Sequence, residues 1–107
     1  MAAGVVFIPW YATGFRGNGL EAALAEIAPV AMRYGATDYA IYRSQDDLYK
    51  FLQTASFASK TDFERYWYGE EFTHFRAEHS GWYQIPILYS FNDLVTAGSL
   101  QAEPATE

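Results

Sequence analysis

The order of elements in this chain predicts an α+β fold of the ferredoxin-like, split-βαβ kind: strand, helix, strand, strand, helix, strand. Three observations carry that prediction. Fifteen of the twenty aromatic residues fall within residues 39–91, where they read as hairpin, helix and strand. A β-rich apolar run and a segment with helical spacing come before them. The 107 residues, half of them apolar, supply one hydrophobic core and no room for a second. The expected architecture is a four-stranded antiparallel sheet with two helices on one face, in a single domain over residues 1–97.

Residues 5–11 are apolar at odd and even positions alike, which predicts a first strand with two buried faces. Pro9 lacks a backbone donor and suggests an edge or a bulge there. Asn18 and Glu21 read as an N-terminal cap pair, after which Leu20, Leu24, Ile27, Ala31 and Tyr34 recur at helical spacing up to a stop at Gly35. Pro29 predicts a kink or split of this helix near Ala28. Strands over residues 37–43 and 48–57 flank Ser44-Gln45-Asp46-Asp47, a polar cluster suited to a hairpin turn. Ser59 and Asp62 form a cap for a second helix bearing Phe63, Tyr66 and Trp67. Gly69 interrupts that helix, and residues 70–79 make a further helical piece. The last strand is expected from residue 82 to about 95, and residues 98–107, small, acidic and proline-bearing, as a disordered tail.

Two helices cover one face of such a sheet, yet three of the strands are apolar on both. A second copy of the chain, packed sheet to sheet into a shared barrel, covers the other most simply, so a homodimer is expected. Net charge is −6 and the seven basic residues are scattered, which argues against nucleic acid or an anionic membrane as partner. No apolar run approaches the ~20 residues of a membrane span. The start of the chain lacks the basic leader of a signal peptide. With no cysteine there is no disulfide and no thiol chemistry, and cytoplasm is the default location.

The stretch Tyr39-x-x-Tyr42-Arg43-Ser44-x-Asp46-Asp47, followed by Phe57-x-Ser59-Lys60-x-x-Phe63, resembles the dimeric α+β barrel superfamily, particularly its antibiotic-biosynthesis-monooxygenase branch. The resemblance covers roughly residues 4–96. It implies a homodimer that binds an aromatic small molecule between the second helix and the sheet, and possible activities that include cofactor-free oxidation of aromatic polyketides and heme degradation. The Trp that ends the third strand in that branch is Phe57 here. The Asn and Trp that hold substrate and oxygen in its quinone-forming members are both missing from residues 53–57. The heme-degrading pattern is broken too: its Trp position falls on Tyr66, its iron-ligand position on Arg76, and the first strand has no Asn.

Glu70, His74 and Glu78 recur every four residues and share one helix face, as an acid–base cluster or as a solvated surface. Tyr66, Trp67 and Tyr68 point in three directions, so at least one must leave the core. Together with Trp10 and Phe72, Tyr66 and Trp67 are the candidate aromatic walls of a ligand cavity, with Arg76 orienting an anionic or carbonyl group by forked hydrogen bonds. Arg43 is a second candidate of that kind. His74 is the candidate catalytic base, and no metal site and no cofactor are expected. Two functions follow: a cofactor-free monooxygenase acting on an aromatic or polycyclic molecule, or a non-catalytic dimeric module that binds a small ligand or a partner.

Overall fold

The computed structural model describes residues 3–100. Its strands are β1 (Gly4–Tyr11), β2 (Asp38–Arg43), β3 (Lys50–Phe57) and β4 (Ser90–Asn92), and its helices are α1 (Gly17–Ile27), α2 (Lys60–Trp67) and α3 (Glu70–Glu78). The strands form one antiparallel sheet in the order β2-β3-β1-β4. This is the expected split-βαβ plan. Residues 101–107 of the expected tail lie outside the described residues.

Alternation along the strands decides what faces the helices. Val6, Ile8 and Trp10 of β1 and Phe51, Gln53, Ala55 and Phe57 of β3 turn inward. They meet Leu20, Leu24 and Ile27 of α1, Phe63, Tyr66 and Trp67 of α2, and Phe72 and Phe75 of α3 in one core. The opposite face carries Val5, Phe7, Pro9, Tyr42 and Leu52, and no element among the described residues covers it. Phe7 is 41 % exposed and Tyr42 59 %. The strands read as apolar on both sides because one chain buries only one of them.

Pro29 acts as its missing donor requires. Helix α1 stops at Ile27 and residues Ala28–Tyr34 continue as a 3-10 helix, closed by Gly35 at φ 99°. The start of α1 differs from expectation. Arg16 occupies the cap with no side-chain bond, while Asn18 Oδ1 and Glu21 Oε1 accept from Arg43 Nη1 at 2.9 and 2.7 Å. A charge-assisted bond to a guanidinium outcompetes a neutral cap. Ser59 does cap α2, accepting from the Asp62 amide, and Gly69 separates α2 from α3. A Cβ at Gly69 would meet the Arg65 carbonyl at 2.7 Å and the Tyr34 hydroxyl at 2.8 Å.

The last strand is much shorter than expected. Tyr83 bridges to Ala12 and Ser90 pairs with Phe7, and between them the chain leaves the sheet. Prolines explain the gap. Ala12 donates to Tyr49 on the β3 side, whereas Gln84 donates to Tyr11 on the other, so Pro9 turns its missing donor toward the returning chain. Pro86, on that chain, also lacks one. No helix of the described residues is long and apolar enough to cross a membrane.

Candidate functional site

The space between α2 and the sheet, where the sequence places a ligand cavity, is filled by side chains. Phe72 packs 4.6 Å from Tyr66 and 4.9 Å from Trp67, centroid to centroid, and Trp10 stacks on Phe72 at 6.2 Å. Tyr83 meets Trp10 edge-on at 5.1 Å. Trp10, Tyr66, Trp67 and Phe72 are therefore brought together as expected, but as one buried aromatic block. Tyr68, by contrast, points outward, as three successive aromatics on a helix require.

Two polar features run through this block. The first is a buried chain of hydrogen bonds: Trp10 Nε1 donates to Gln53 Oε1 at 3.0 Å, Gln53 Nε2 donates to the Tyr66 hydroxyl at 3.1 Å, and that hydroxyl donates to the Ile27 carbonyl at 2.7 Å. An indole nitrogen only donates, which fixes the orientation of the Gln53 amide. Burial pushes the Tyr66 phenol well above its ordinary value, so it stays protonated. Gln53 is absent from the sequence-based candidates. Its inward position, directly opposite Ile8 on β1, was readable from strand alternation.

The second feature is Arg76. Its guanidinium lies 3.9 Å from the Trp67 ring centre and 5.0 Å from that of Phe72. Nη2 donates to the Trp67 carbonyl at 2.9 Å, while Nη1 is buried and has no hydrogen-bond partner. An unsatisfied buried donor costs about 1–3 kcal/mol, so it calls for an explanation. Burial lowers the Arg76 pKa, yet a guanidinium remains charged at neutral pH. No carboxylate lies within ion-pair distance of it among the described residues. The titratable groups that act on its charge are the phenols of Tyr83, Tyr68, Tyr66 and Tyr89. Burial raises the phenols of Tyr66, Tyr83 and Tyr89, which keeps them neutral. Arg76 is thus a cation in an aromatic setting without a matching anion.

His74 is not part of this setting. Its side chain is 75 % exposed on the outer side of α3, with Nε2 3.6 Å from Glu78 Oε1. It borders an open groove of about 210 Å³ between α1 and α3, lined also by Glu26, Glu71, Phe75 and His79. The His79 Nδ1 is 2.8 Å from the Phe75 carbonyl. No cluster of metal-ligating side chains is found among the described residues. Arg43 is satisfied by Glu21, Asn18 and the Leu48 carbonyl, which makes it a fastener between α1 and the hairpin.

No protein-family model and no curated protein matches the sequence. Solved structures do match. SnoaB, a cofactor-independent oxygenase from Streptomyces nogalater, shares 12 % identity over 91 % of this chain and 97 % of its own, with a TM-score of 0.76. Rv0793 from Mycobacterium tuberculosis shares 14 % over 92 % and 100 %, with a TM-score of 0.77. A candidate antibiotic biosynthesis monooxygenase from Nitrosomonas europaea shares 15 % over 90 % and 94 %, also at 0.77. At such identities the likeness is one of fold, and it extends over nearly the whole chain.

Proposed function

Taking as premise the fold shared with antibiotic-biosynthesis-monooxygenase-like proteins, we propose that this chain binds a flat aromatic or polycyclic anion at Arg76 and oxidises it without a cofactor, as a homodimer. The orphaned Nη1 of Arg76 carries the reading. A phenolate, enolate or carboxylate supplies the missing acceptor, and Trp67 and Phe72 supply the surface for a ring. Among the described residues no side-chain carboxylate lies within ion-pair distance of Arg76, so the guanidinium selects a ligand that is already ionised. The chemistry in view is oxidation of an acidic ring methylene by dioxygen to a ring carbonyl and water, with the ligand as the electron source. His74, exposed and turned outward, has no part in it.

The open sheet face supports the dimer. Phe7, Pro9, Tyr42 and Leu52 form an apolar patch of the kind that a second copy covers, and stable interfaces bury about 800 Å² per partner. One observation favours a second reading, a non-catalytic binding module: the aromatic block is filled by side chains, and His74 borders an open groove of about 210 Å³ rather than an enclosed cavity. Dioxygen uptake with a tricyclic hydroxyketone bearing an acidic methylene separates the two. Uptake that Arg76→Gln removes supports the oxygenase, and none at any pH supports the module.

A further inference from the structure

The filled interior raises the question of how any ligand reaches Arg76. The segment that closes the interior on that side is residues 84–89, between the Tyr83 bridge and β4. From Phe7 to Ala12 is five steps along β1, but from Tyr83 to Ser90 is seven along the returning chain, so two residues are surplus. They bow outward as a strap. The strap is fastened at both ends: Tyr83 bridges to Ala12 and its hydroxyl donates to the Arg76 carbonyl at 2.9 Å, while residues Ser90–Asn92 pair with β1. Past the Gln84 amide, residues 85–89 belong to no ladder and no helix.

Its two sides differ. Ile87 and Tyr89 pack against the core, and Tyr89 lies 5.0 Å from the same Trp67 ring that Arg76 covers. Ile85 and Leu88 face out, 79 % and 73 % exposed, and the strap stands away from β1 over a groove of about 250 Å³ that has Pro9, Tyr11 and Lys50 on its other wall. A segment with little backbone hydrogen bonding, held by two side chains and anchored at both ends, belongs to the low-stability class of local opening. Beneath it the aromatic block rests on helices and paired strands.

We infer that residues 84–89 are the door of the Arg76 site: the strap swings aside as a unit, lifting Ile87 and Tyr89 off the aromatic block, and admits a flat anion to the guanidinium. This rests on the proposed function for what enters, but the opening itself stands on the strap.

The absence of cysteine allows a direct test. Ile8 lies between the two anchors on β1 and Ala55 on β3 away from the strap, and both are fully buried. In Ile8→Cys and Ala55→Cys proteins, labelling by methyl methanethiosulfonate is followed by mass. The door predicts that the thiol at position 8 labels at least about tenfold faster than that at 55, with a rate that low urea leaves unchanged. Equal rates with the same steep urea dependence would mean that both open only by global unfolding, and would overturn the proposal. Should Ile8→Cys fail to fold, exchange of the buried Trp10 indole proton in the unmodified protein reads the same opening. Urea-independent exchange upholds the door, and urea dependence matching that of the β3 amides overturns it. Naphthoate added to Ile8→Cys separates the two ideas. Slowed labelling supports both, whereas fast labelling that naphthoate leaves unchanged upholds the door and counts against the anion reading.

Discussion

Arg76 stands under opposite demands from stability and binding. Arg76 is half-buried and its buried Nη1 has no partner, so Arg76→Met is expected to leave stability unchanged or to raise it by about 1 kcal/mol. The same change should weaken naphthoate binding by at least about tenfold, since charge-assisted bonds to a carboxylate contribute about 1.5–3 kcal/mol. Urea melts and a fluorescence titration of the one variant read both signs. Gln53 is the reverse case, satisfied at both ends of its amide. Gln53→Leu strands the Trp10 indole proton, which has no other acceptor among the described residues, and is expected to cost about 1–3 kcal/mol in a urea melt. A loss below a few tenths would show that the buried chain contributes little.

Among the elements, the joint between the 3-10 helix Ala28–Tyr34 and α3 carries a pH dependence. Tyr34 donates to Glu71 Oε1 at 2.6 Å, which holds the Glu71 carboxyl below its ordinary 4.5 and the Tyr34 phenol above its ordinary 10.0. A depressed carboxyl stabilises the fold above its unfolded value, and that contribution is lost as pH falls through the folded one. A raised phenol stabilises below its unfolded value, with the contribution lost as pH rises through the folded one. Stability should therefore decline below about pH 4.5 and above about pH 10, and Tyr34→Phe should flatten both declines in urea midpoints measured across pH. The elements were largely legible in the sequence. Pro29, Gly35, Ser59 and Gly69 each act through a local backbone rule that a sequence displays. The start of α1 and the length of β4 were not, because each depends on a distant partner: Arg43 across the chain for Asn18 and Glu21, and Pro9 facing the returning chain that carries Pro86 for the broken ladder.

For the whole molecule, the apolar pattern on two faces of the strands already implied more covering surface than two helices supply, and the bare face bearing Phe7 and Tyr42 shows where it is missing. Light scattering should return twice the mass of one chain, and Phe7→Glu should return a folded monomer. A wild-type monomer at micromolar concentration would rule out the dimer. The site was less legible than the architecture. Gathering Trp10, Tyr66, Trp67, Phe72 and Arg76 follows from strand and helix periodicity, but whether aromatics enclose a cavity or fill it depends on packing that no spacing reveals. The proposed role of Arg76 is to take up an aromatic anion, and titration of the protein and of Arg76→Gln with naphthoate and with uncharged naphthylmethanol is the decisive measurement. Saturable naphthoate binding, at least about tenfold tighter than naphthylmethanol in the wild type and equal to it in Arg76→Gln, is the result expected. Equal binding of the two by the wild type, or no binding of either, would contradict it.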